Sequence, residues 1–173
     1  MAITLYDISV TSYLQTLDAV GGFLAKALAH FRDAGTDPEE IVEARLVPDM
    51  LPFRFQVVSV AFHSGGAMQA VLSGALALPG EQPAYDYAGL QALIADTAAG
   101  LRALTPEQVN AREGADMVFQ VRDTAMVFTS EGFVTSFSMP NLHFHATTAY
   151  DILRVKGAPV GKRDYIGAPR LKG

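Results

Sequence analysis

Two imidazoles, a side-chain amide and a phenol are the groups in this chain whose spacing could do chemistry. His145 recurs with Leu142, Ala149 and Ile152 along one line of the last long helical stretch. Side chains at that spacing share a helix face, so an imidazole stands where the pattern calls for burial. Asn141 lies one turn before it, and Tyr150, one turn after Ala146, borders the same face. His63 belongs to an earlier helical stretch, beside Val60 and Ala67 at the edge of an apolar stripe. Two imidazoles brought together beside an amide admit three readings: a ligand pocket, a metal site with open positions, or a satisfied polar pair in the core. A lone histidine on an apolar stripe is usually core, as is a buried tyrosine. The second imidazole, on an element that can face the first, raises the first two readings. An amide is a poor zinc ligand, and no carboxylate on the last helix takes its place.

The remaining candidates read as local structure. His143 completes a His-x-His with His145, but residues two apart on a helix point in nearly opposite directions, so His143 is expected to be exposed or interfacial. His30 sits beside Phe31 near a helix end, where a cation suits the dipole. Arg45 with Asp49 and Arg163 with Asp164 are expected to cap turns and tie connections down, since surface pairs are common and seldom functional.

Four long helices must position these groups. In the first, Val10, Leu14, Leu17, Gly21, Leu24, Leu28 and Phe31 form one continuous stripe, started by Ser9 or Thr11 and ended by Gly35. Asp37-Pro38 followed by Glu40 opens a short helix reaching about Arg45. The second long helix is predicted from about Pro52 to Ser73, with Gly65-Gly66 marking a close helix approach or a bend near His63. Leu78-Pro79-Gly80 stops that segment, and a polar loop leads to Asp86. The third helix comes next, carrying Leu90, Ile94, Thr97, Leu101 and Leu104, and Thr105-Pro106-Glu107-Gln108 is a capping box on a short turn. Between Asp116 and Thr129 the period becomes extended, with β-branched and aromatic residues on both sides of Asp123, which predicts a small β-hairpin. Ser130 restarts a helix in which Pro140 should produce a kink, and its second half runs to Lys156. Together these elements predict a mainly all-α four-helix bundle with short extra helices and a small β-hairpin before the last helix.

Composition narrows the function classes. A length of 173 residues suits a single domain, residues 1–173, able to bury its own core. There is no cysteine, which removes disulfides, thiolate metal sites and a cysteine nucleophile. The net charge of −5 argues against a nucleic-acid surface, and Arg154, Lys156, Lys162, Arg163, Arg170 and Lys172 read as a solvated helix end and tail. No apolar run approaches a membrane span, and MAITLYDISV lacks the pattern of a secretory signal, so a soluble cytoplasmic protein is expected. Tyr13, Val20, Phe23 and Ala27 add a second apolar flank to the first helix, wider than one seam needs, from which a homodimer is expected.

The segment His145-Ala-Thr-Thr-Ala-Tyr-Asp-Ile-Leu-Arg-Val-Lys-Gly157 resembles the last helix of the DinB/YfiT-like metalloenzyme superfamily. Its members are four-helix bundles with a three-histidine metal site. One ligand comes from the second helix and two from a His-x-x-x-His pair on the fourth, with an aliphatic run after them ending in Leu-Arg-x-x-Gly. His145 matches the second histidine of that pair, Asn141 stands where the first belongs, and His63 is the candidate from the second helix. The blocks Ala44–Pro52, Pro140–His145 and Gly161–Gly167 resemble those of an uncharacterised bacterial branch, a domain of unknown function, and the likeness covers essentially the whole chain. The resemblance implies a DinB-like bundle with a small-molecule pocket and a degenerate metal site, at His63, Asn141, His145 and Tyr150. It also implies an alternative, a metal-dependent hydrolase or group-transfer enzyme in which His63 and His145 hold a divalent ion such as Zn, Ni, Mn or Fe. A non-catalytic dimeric structural module is the third reading.

Overall fold

The structure, a computed structural model, describes residues 3–76, 80, 83–121 and 124–172. The expected stop at Leu78-Pro79 and the hairpin turn at Asp123 lie outside the described residues.

The chain opens with a short helix, α1 (Leu5–Ile8), started by a reciprocal cap between Thr4 and Asp7. The long helix α2 (Val10–Asp33) comes next. Ser9 makes no side-chain cap for it; its hydroxyl donates to the Leu5 carbonyl at 2.5 Å instead. Asp37 caps the short α3 (Pro38–Val42), which ends before the expected Arg45.

The second long helical stretch is not uniform. It consists of α4 (Phe53–Ala61), a π-helical turn (Phe62–Gly66) and α5 (Ala67–Ser73). Asp86 caps α6 (Tyr87–Arg102), and the Thr105–Gln108 capping box opens α7 (Pro106–Asn110). The last stretch is divided in the same way, into α8 (Ser130–Phe133), a second π turn (Val134–Ser138) and α9 (Met139–Val155). The sequence suggested a proline kink here. A proline has no N–H to donate and crowds the carbonyl four residues back; the wider π turn ends two residues before Pro140 and takes up that mismatch. A further short helix, α10 (Lys162–Ile166), closes the chain.

Helix α2 packs on α6 and α9, and α4 packs on the same two, so the four long elements close a ring around one core. The expected hairpin is present as β2 (Asp116–Val121) and β3 (Thr124–Thr129), antiparallel with Asp116 opposite Thr129 and Val121 opposite Thr124. A two-residue strand β1 (Ala75–Leu76) joins it in parallel, which the sequence did not suggest. Gly74, at φ 83°, ends α5 in the left-handed conformation that glycine tolerates and turns the chain into β1. On β2, Met117 and Phe119 face inward. Phe119 and Phe128 of the sheet tilt against Phe137 of the second π turn, on which Phe133 stacks. The hairpin therefore seats an aromatic column against the bundle.

The flank from which a dimer was expected is core. Tyr13, Val20, Phe23 and Ala27 are all 0 % exposed. The chain itself covers them: Tyr150 of α9 meets the Phe23 ring edge-on at 6.2 Å, and Ser138 meets the Tyr13 hydroxyl at 2.7 Å. An association face would have to lie elsewhere. No helix among the described residues is long and apolar enough to cross a membrane.

Candidate functional site

His63 and His145 come together where the first π turn faces α9. Their rings are nearly parallel, 11° apart, with centroids separated by 5.6 Å. A π turn carries one extra residue in its hydrogen-bonded ring, so it rotates the next helical turn and releases carbonyls from the helical ladder. The Ser64 hydroxyl donates to the Val60 carbonyl one turn back, at 2.7 Å. The Ala67 N–H goes to Phe62 and Ser64 rather than to His63, and Ser138 takes the His63 carbonyl, donating to it at 2.7 Å. Because that carbonyl can only accept, the Tyr13 hydroxyl is the donor in its own 2.7 Å contact with the Ser138 oxygen. The chain Tyr13 to Ser138 to His63 thus fastens the two π turns to each other and to α2. Burial pushes the Tyr13 hydroxyl well above the usual tyrosine range, so it stays protonated.

The glycine pair serves the same place. A Cβ on Gly65 would stand 2.8 Å from Cγ2 of Thr97, so α6 and the π turn approach at a distance that only a glycine allows. Close approach and an irregular turn, offered as alternatives by the sequence, occur together.

His145 is half-buried and sits at the margin of the inward line, while Leu142, Ala146 and Ala149 are fully buried. Its Nδ1 lies 2.8 Å from Oε1 of Gln56 on α4. The other end of that amide, Nε2, donates to the Leu51 carbonyl at 2.9 Å, so Oε1 must be the acceptor and His145 carries its proton on Nδ1. Its Nε2 is then a free acceptor. Burial, and after it the neighbouring His145, lowers the pKa of His63 to about 4; burial also lowers that of His145. Both imidazoles are neutral at neutral pH.

Aromatic rings surround the pair. Phe62 and Phe137 meet His63 edge-on at 5.0 and 5.7 Å. Phe55 and Phe144, both exposed, meet His145 edge-on at 5.9 and 5.2 Å.

The other sequence candidates fall in different places. Asn141 donates through Nδ2 to the Phe137 carbonyl at 2.7 Å, a local bond back to the preceding π turn. Tyr150 lies between Phe23 and Tyr165, and the rings it touches are not those around the histidines. His143 is exposed. His30 tilts against Phe31. Arg45 donates to the Met50 carbonyl and so holds the turn before α4. Asp164 caps Gly161 at 2.7 Å and pairs with Lys26 at 2.9 Å, fastening α10 to α2.

Gln56, Ser138 and Tyr13 were not among the sequence candidates for the site. Gln56 had a usable signal: it precedes His63 by seven residues, two helical turns, which puts both on one face. Ser138 and Tyr13 had none, because their link to His63 runs through a carbonyl that an ordinary helix would not free.

As a metal centre the donor set is short. Catalytic zinc normally takes three protein ligands. Here two imidazoles converge, and Asn141, with its amide nitrogen bound to Phe137, offers at most a weakly ligating oxygen. Among the described residues no group of three or more His, Cys, Asp or Glu could hold a metal ion. The residues present do not make the three-histidine centre of the superfamily.

A DinB family member protein from Shewanella denitrificans has a similar structure, with a TM-score of 0.85 and 28 % sequence identity over 98 % of this chain and 95 % of that one. No curated protein matches the chain. Residues 5–166 match a family described as Domain of unknown function (DUF1993). The chain is therefore a DinB-like helical bundle and belongs to the DUF1993 family.

Proposed function

We propose that this protein is a small-molecule-binding DinB-like bundle whose binding centre is the His63–His145 pair, on the ground of a metal site reduced to two imidazoles. The observation that carries the reading is the pair itself: two neutral imidazoles 5.6 Å apart, one with its tautomer set by Gln56, at the inner end of an aromatic surround. A polar pair kept only for packing would be expected to pair its own nitrogens, since buried polar groups are costly when unpaired. Only one of the four ring nitrogens here has a protein partner among the described residues.

A second reading has one observation in its favour. Metal-ligating histidines characteristically donate their other N–H to a carbonyl oxygen, and His145 does so to Gln56. On that reading the protein is a metal-dependent hydrolase or group-transfer enzyme. Calorimetric titration of untagged protein with zinc separates the two. Weak or substoichiometric binding is expected; tight binding of one equivalent, lost in His145→Ala, would make the enzyme the better reading.

A further inference from the structure

His63 is 9 % exposed, and neither of its ring nitrogens has a hydrogen-bond partner among the described residues. Yet no buried side-chain nitrogen or oxygen among those residues is left without a partner. The ring nitrogens of His63 therefore still reach solvent. Nε2 of His145 is in the same condition, since Gln56 occupies only Nδ1. With ring centroids 5.6 Å apart, one small molecule can meet both.

Three properties of the surroundings define that molecule. No hydrogen bond or ion pair links lysine, arginine, aspartate or glutamate to either imidazole ring among the described residues. A charged ligand would lose hydration there without a compensating partner. Next, Phe55 and Phe144 are 42 % and 56 % exposed while touching His145 edge-on. Phenyl rings left open beside a half-buried polar group offer a wall for a flat apolar body. Finally, the Gln56 amide, held by Leu51, fixes Nε2 of His145 as an acceptor, so the ligand must supply the hydrogen.

We propose that the pair binds a neutral aromatic molecule bearing an O–H or N–H donor, with its ring beside Phe55 and Phe144 and its donor on Nε2 of His145. This rests on the reading of the pair as a small-molecule centre and gives that centre a ligand class.

The test titrates the full chain, isotope-labelled at histidine, with phenol, toluene and benzoate at neutral pH, tracking the imidazole resonances. Phenol is expected to move the His63 and His145 signals saturably. Toluene, without the donor, and benzoate, with a charge, should bind about tenfold more weakly or worse, as loss of one hydrogen bond to a fixed acceptor implies. Phe144→Ala, at an exposed position where folding is not at stake, should weaken phenol by about threefold or more. Gln56→Met should weaken it further by releasing the tautomer; if that variant fails to fold, Phe144→Ala decides alone. Equal binding of toluene, tighter binding of benzoate, or phenol moving neither imidazole overturns the assignment. The broader reading is decided separately by the zinc titration, so the two failures are distinguishable.

Discussion

The side-chain amide of Gln56 is held at both ends, its nitrogen 2.9 Å from the Leu51 carbonyl and its oxygen 2.8 Å from Nδ1 of His145. A residue 2 % exposed on α4 thus sets the protonation pattern of an imidazole on α9. Replacing Gln56 with Leu should shift His145 toward the tautomer protonated on Nε2, read directly from its ring nitrogen shifts. Stability should fall by about 1–3 kcal/mol because the Leu51 carbonyl loses its donor. An unchanged tautomer would show that something other than Gln56 sets it.

Ser138 is the link between Tyr13 and His63, accepting from one and donating to the other. Tyr13→Phe removes one hydrogen bond, and its expected cost is about 1 kcal/mol. Ser138→Ala leaves both a buried hydroxyl and a freed carbonyl without partners, for an expected loss of about 2–4 kcal/mol. The double variant should be less damaged than the sum of the two. Urea denaturation checks the order; a Tyr13→Phe loss larger than that of Ser138→Ala would contradict it.

The glycines of the long helices separate by what surrounds them. Gly22 is exposed in α2, and a Cβ there meets nothing within 4 Å, so Gly22→Ala should stabilise by up to about 1 kcal/mol through helix propensity. Gly65→Ala should destabilise despite the same propensity gain, because its Cβ would stand 2.8 Å from Thr97. Adding Thr97→Ser, which removes the methyl in the way, should recover much of that loss in thermal melts.

Acid sensitivity arises from the buried imidazole. The pKa of His63 falls from an ordinary 6.5 to about 4 in the folded protein, first through burial and then through His145. Between those values the unfolded chain binds the extra proton, so stability rises with pH across the window and is lost as pH falls through it. The upper limit is roughly 3–4 kcal/mol, from about 1.4 kcal/mol per pK unit. His145 contributes with the same sign. Denaturation midpoints at several pH values should show the slope, and His63→Phe should flatten it; an undiminished slope in that variant would assign it to other groups.

Much of the architecture was legible because its signals are local. Asp37, Asp86 and Thr105 each cap the helix that their context announced, and the change of period at Asp116 marked the hairpin. The pairing of His63 with His145 was also legible, since helical spacing placed His145 on an inward line and His63 at the edge of another, and the resemblance placed both at one site. The π turns were not. One extra residue barely disturbs an apolar period, and only Gly65-Gly66 and Pro140 hinted at them. Yet the turn at Phe62–Gly66 frees the carbonyl that Ser138 holds. Tyr150 was placed at the pocket from its spacing to Ala146, but it lies five residues beyond His145, which turns it toward Phe23 and Tyr165.

Phe23 carries the last prediction, because the spacing that made it look like an association surface is the spacing of a second core face. Helix α2 lies between α6 and α9 and packs on both, so it needs two apolar flanks to fill one molecule. Phe23 is fully buried against Tyr150, and Tyr87 donates to the adjacent Leu24 carbonyl at 3.0 Å. Phe23→Ala should therefore cost about 3–5 kcal/mol, the range for a large aromatic removed from a packed core. Light scattering on whatever fraction stays folded should return the same mass as the parent protein. A change in subunit number at little cost in stability would return Phe23 to an interface.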